Sequence, residues 1–60
     1  MQGHETPSPL ILVADDVASA RLLYATVLIA EGYRIVEARD GMEALELIRS
    51  DSPSLAILDI

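Results

Sequence analysis

Two uninterrupted apolar runs, each closed by aspartate, constrain this chain most. Leu10-Ile11-Leu12-Val13-Ala14 runs into Asp15-Asp16, and Leu55-Ala56-Ile57-Leu58 runs into Asp59. A run without polar alternation suits a strand covered on both faces, as in a parallel sheet. Between them, Tyr33-Arg34-Ile35-Val36-Glu37-Ala38 has β-branched residues at its centre and reads as another strand. From Val17 to Glu31 breakers are few and a helix is predicted. Asp16 or Ser19 is its candidate N-cap, and Gly32 stands where a left-handed residue ends a helix. Asp40-Gly41-Met42-Glu43 has the form of a capping box, with Asp40 at the N-cap and Glu43 at N3. The second helix runs to about Ser50. Arg49 in its last turn complements the helix dipole, and Pro53 prevents continuation. An i,i+3 pair between Glu46 and Arg49 is expected on its surface. Residues 1–9, polar and punctuated by Pro7 and Pro9, read as a disordered lead-in in which His4 is a solvated bystander.

Alternation of strand and helix predicts an α/β fold with parallel strands and right-handed crossovers. In such sheets, sites form at the carboxyl ends of the strands, where the winding reverses. Both apolar strands end in aspartate there. If the first and third strands are neighbours, Asp15, Asp16 and Asp59 converge on one edge of the sheet. Close carboxylates raise each other's pKa values unless a cation neutralises them. Mg²⁺ suits an all-oxygen donor set, because it accepts one or two carboxylates, keeps several waters and takes phosphate oxygens. A carboxylate beside such an ion is also a nucleophile toward phosphorus, giving an aspartyl phosphate. By spacing alone a second reading stands beside this one: Asp16 as a helix cap, and Asp59 as the opening of a loop.

Composition narrows the alternatives. The chain has ten acidic residues against four arginines and no lysine, a formal net charge of −6. Too few cations are present for phosphate-backbone binding, so nucleic acid is excluded as a direct partner. The same acidity argues against anionic membrane surfaces, and no apolar stretch approaches the roughly 20 residues of a membrane span. No basic region leads into an apolar run, so no secretory signal is visible. The absence of cysteine excludes disulfides and thiolate zinc sites and fits a cytoplasmic location. No G-x-G-x-x-G or P-loop occurs, and the adjacent aspartates do not form the D-x-D of haloacid-dehalogenase-type phosphatases.

Four segments together resemble one known family. Ile11-Leu12-Val13-Ala14-Asp15-Asp16, Glu31-Gly32-Tyr33, Ala38-Arg39-Asp40-Gly41-Met42-Glu43-Ala44-Leu45 and Leu55-Ala56-Ile57-Leu58-Asp59-Ile60 occur in the order and spacing of a response-regulator receiver domain of two-component signalling. The resemblance covers residues 10–60. It implies a flavodoxin-like parallel sheet, β1-α1-β2-α2-β3, with strand order 2-1-3. It implies Asp59 as the phosphoacceptor and Asp15 and Asp16 as the acidic pair that, with Asp59, binds Mg²⁺. The implied partner is a sensor histidine kinase or phosphotransfer protein carrying a phosphohistidine. The activity the resemblance implies is self-phosphorylation and self-dephosphorylation at most, not that of a classical enzyme.

The family's complete domain has five strands, so the resemblance implies a truncated receiver. The family's switch Ser/Thr and Lys have no counterpart here, and impaired phosphotransfer is expected. The alternative is a non-catalytic interaction or dimerisation element; a third class is a metal-dependent phosphohydrolase fragment. From Val17 to Ala30 only Ser19, Arg21, Tyr24 and Thr26 carry polar groups. A helix so apolar around its circumference is expected to be buried on more than one side, by ordinary core, by a kinase or by a second copy. The open edge of Leu55–Leu58 likewise invites cover from the missing C-terminal half or from self-association. Arg39, near the end of the second strand, is expected to be a solvated turn residue.

Overall fold

The computed structural model describes residues 8–60. Five elements follow in order: β1 (Leu10–Asp15), α1 (Ala18–Ala30), β2 (Arg34–Ala38), α2 (Gly41–Asp51) and β3 (Leu55–Asp59). The strands form one parallel sheet in the order β2-β1-β3. This is the flavodoxin-like α/β arrangement expected, with strand order 2-1-3. Most of the lead-in, His4 included, lies outside the described residues. Ser8 and Pro9 are tied to β2: the Arg34 side chain donates from Nε to the Ser8 carbonyl at 2.8 Å, and its backbone N–H to the Pro9 carbonyl at 3.1 Å.

Central placement explains the burial of β1. Leu12 and Val13 are fully enclosed, each contributing about 1.5–3 kcal/mol relative to an exposed side chain. Successive residues of a strand face opposite ways. Leu12 and Ala14, with Val36, Ala38 and Ala56, form the face that receives Ala44 and Leu47 of α2. Ile11 and Val13, with Ile35, Glu37 and Ile57, form the other face, where α1 lies and Arg21 reaches Glu37. The helices fall on opposite faces because the chain steps from β1 to β2 and then back across β1 to β3; crossovers of one hand require that.

Local chemistry sets the element ends. α1 closes in a Schellman motif: Gly32 has φ +97°, its N–H donates to the Ile29 carbonyl, and the Tyr33 N–H donates to the Leu28 carbonyl. The capping of α2 is the one expected at its N-cap, where Asp40 Oδ1 accepts from the Glu43 N–H at 2.8 Å. The reciprocal bond is displaced by one residue, since Glu43 Oε1 accepts from the Arg39 N–H at 2.7 Å. At the other end Ser52 takes a left-handed conformation, φ 48°, with its N–H on the Ile48 carbonyl. The Ser54 N–H then donates to the Leu10 carbonyl at 2.8 Å and starts β3 beside β1.

Three local expectations need correction. Neither Asp16 nor Ser19 caps α1. Its N-cap is Val17, with no side-chain cap bond; Asp16 precedes that position and Ser19 lies inside the first turn. Arg49 forms no ion pair with Glu46: the two ion pairs among the described residues are Arg21–Glu37 and Arg39–Glu43. An exposed pair gains little Coulomb energy against the side-chain entropy it costs. Burial of α1 on more than one side is not seen either. Its only buried residue is Ala25, while Leu22, Leu23, Val27 and Ile29 are exposed. β3 shares that condition. Both helices approach β1 and β2, and Leu55 and Leu58 remain exposed. No helix is long and apolar enough to cross a membrane among the described residues.

Candidate functional site

Asp15 is the one buried charged residue among those described, 2% exposed at the carboxyl end of the central strand. Its Oδ1 accepts from the Val17 N–H at 2.9 Å, which turns the chain out of β1 toward α1. Its Oδ2 is buried and has no hydrogen-bond partner. Buried polar atoms are nearly always satisfied, and an exception calls for an explanation such as a bound ion.

Asp59 is the register partner of Asp15 on β3. Neighbouring strands stand about 4.8 Å apart, and register partners point to the same face. Asp59 is exposed. Asp16 lies on the exposed bend between β1 and α1, where it caps nothing. All three aspartates thus stand at the carboxyl edge of the sheet. Among the described residues, however, no three acidic or histidine side chains are close enough to hold a metal ion by themselves.

Among the described residues one cation belongs to this edge. Arg21 of α1 donates from Nη1 to the Asp15 carbonyl at 2.8 Å and from Nε to Glu37 Oε1 at 3.2 Å. Its side chain is only 16% exposed. By residue pattern Arg21 is only one of four polar residues on the helix. The signal that could have singled it out is that Arg21 is the sole charge between Val17 and Ala30; a lone charge on an apolar helix needs a partner. Arg39 stays with the start of α2: its side chain is 75% exposed and lies 3.6 Å from Glu43. It is the turn residue expected.

The donors fit Mg²⁺ in kind. They are carboxylate oxygens, one of them buried and unpartnered, and Mg²⁺ needs only one or two such ligands beside water and phosphate oxygens.

Residues 11–60 match the family model of the response regulator receiver domain. The chain is 43% identical over 56 residues to the probable transcriptional regulator ycf27 of Porphyra purpurea, covering 93% of this chain and 23% of that protein. It is 47% identical over 51 residues to the transcriptional regulatory protein PdtaR of Mycobacterium tuberculosis, covering 83% of this chain and 25% of that protein. Over 50 residues it is 46% identical to ycf27 of Guillardia theta, covering 83% of this chain and 20% of the relative. No solved structure gives a significant match. The chain therefore belongs to the response-regulator receiver family. It spans no more than about a quarter of the length of these curated relatives.

Proposed function

We propose that the chain is a phosphoacceptor receiver, with Asp59 taking a phosphoryl group from a phosphohistidine on a sensor histidine kinase or phosphotransfer protein. The observation that carries this reading is the register pairing of Asp59 with a buried Asp15 whose Oδ2 has no partner. In the transfer, an Asp59 carboxylate oxygen forms a bond to phosphorus as the donor's N–P bond breaks. The electron pair stays on the imidazole nitrogen, which leaves neutral when the other ring nitrogen carries a proton. Asp59 suits the nucleophile because it is exposed to an incoming donor, whereas Asp15 is enclosed. Asp15, Asp16 and Asp59 are the residues that would hold Mg²⁺. When bound, the ion supplies charge neutralisation and orientation for the phosphoryl oxygens. The cytoplasmic location belongs to the same reading, as does membership of a longer transcriptional regulator, which the names of the relatives suggest.

The test is acetyl phosphate with Mg²⁺, read by intact mass. A phosphate adduct on the wild type that disappears in Asp59→Asn is the expected result. A second reading, a non-catalytic interaction or dimerisation element, rests on the exposure of Leu55 and Leu58 along β3. A folded wild-type chain that takes no adduct and self-associates would favour that reading instead.

A further inference from the structure

We propose that Arg21 is a positioning residue for the acidic pair, acting through the backbone of Asp15 rather than through any carboxylate of the site. The proposal rests on the Mg²⁺ reading above. The Asp15 carbonyl belongs to the peptide that joins Asp15 to Asp16, and both carboxylates project from the residues on either side of it. Arg21 Nη1 holds that carbonyl at 2.8 Å. On the other side of the turn, Asp15 Oδ1 holds the Val17 N–H at 2.9 Å. The two peptides that flank Asp16 are therefore held at one point each, which sets the direction in which Asp16 leaves the strand.

Glu37 completes the device. It occupies the β2 position in register with Val13, and its Oε1 takes Arg21 Nε at 3.2 Å. The guanidinium thus has its charge offset by Glu37 at Nε and gives an Nη1 hydrogen to a neutral carbonyl. Arg21 makes no ion pair with Asp15, Asp16 or Asp59; among the described residues its only carboxylate within salt-bridge distance is that of Glu37. Had the guanidinium bridged Asp15 directly, it would compete with a divalent cation for the same oxygens. Instead Asp15 Oδ2 is left without a partner. Arg suits this role better than Lys because its planar fork serves two acceptors in fixed directions.

The experiment is calorimetric Mg²⁺ titration of the full chain, with circular dichroism and metal-free thermal unfolding as a separate readout of folding. Arg21→Met keeps the apolar stem and removes the guanidinium; Arg21→Lys keeps a donor for the Asp15 carbonyl. Loss of an outer partner typically costs about tenfold or more in metal affinity. That loss is expected for Arg21→Met, with a smaller loss for Arg21→Lys. Unchanged or tighter Mg²⁺ binding by folded Arg21→Met overturns the proposal, as does equal loss in both variants, which marks a merely structural role. If Arg21→Met does not fold, Glu37→Ala decides. It releases the guanidinium toward the carboxylates, so weakened Mg²⁺ binding supports the proposal and unchanged binding overturns it. A wild-type chain that binds no Mg²⁺ overturns the metal reading, and this inference with it. Wild-type binding that survives undiminished in the variants overturns this inference alone.

Discussion

Asp15 and Asp59 end adjacent parallel strands as register partners, so two carboxylates stand side by side on one face at the edge of the sheet. Like charges opposed across a strand pair are destabilising, by a few tenths of a kcal/mol to about 1 kcal/mol. Asp59→Asn is therefore expected to stabilise the metal-free chain by about 0.5 kcal/mol. With saturating Mg²⁺ the wild type gains binding free energy that the variant largely lacks, and the order reverses. Urea unfolding with and without Mg²⁺ checks both halves; an Asp59→Asn chain less stable than wild type without metal contradicts the first.

Asp16 and Asp40 both stand just before helices, yet only Asp40 has a capping bond, to the Glu43 N–H. Asp40→Ala is expected to lower stability by about 1 kcal/mol, with Asp40→Ser recovering most of it. Asp16→Ala is expected to stay within about 0.5 kcal/mol of wild type without metal. It should nevertheless lose most of the stabilisation that Mg²⁺ provides. Thermal unfolding of the three variants separates the structural aspartate from the ligand.

Gly32 and Gly41 differ in what they require. Gly32 holds φ +97° with nothing within 4 Å of an added Cβ, so the cost of Gly32→Ala is conformational, not steric. That cost is about 1–2 kcal/mol. Gly41 opens α2, and an added Cβ would meet only Ile60 Cδ1 at 3.8 Å. Gly41→Ala is expected to gain about 0.5 kcal/mol by restricting the unfolded chain. A denaturation comparison that finds the same sign for both substitutions would contradict this assignment.

The exposed side of β3 predicts association. Leu58 is 57% exposed on a strand that forms one edge of the sheet, and flat apolar edges recruit other strands. Any well-ordered form of this chain is expected to cover that edge with another polypeptide, and Leu58→Lys to lower its apparent mass in sedimentation. A monodisperse wild-type monomer with exchange-protected amides along β3 would rule this out.

Much of the fold was legible in the residues themselves. Strand and helix positions followed from the apolar runs, from Gly32 and Asp40 at helix ends and from Pro53, because these act through local backbone geometry. The carboxyl-end aspartates were legible too, as residues closing apolar strands. Arg21 was not, because its partners Asp15 and Glu37 lie six and sixteen residues away. Contacts at such separations depend on how strands are ordered, and residue patterning carries no record of that order.

The apolar runs Leu10–Ala14 and Leu55–Leu58 show where local information ends. As sequences they are alike, each predicting a strand enclosed on both faces and closed by aspartate. Tertiary placement made them different: β1 became the centre, with Leu12 and Val13 enclosed, and β3 became an edge, with Leu55 and Leu58 open. The same difference buried Asp15 and exposed Asp59. Local patterning places two aspartates at the ends of two strands. Only the packing of helices over β1 and β2 decided which would be enclosed, because burial depends on what neighbours a strand acquires and not on its own composition.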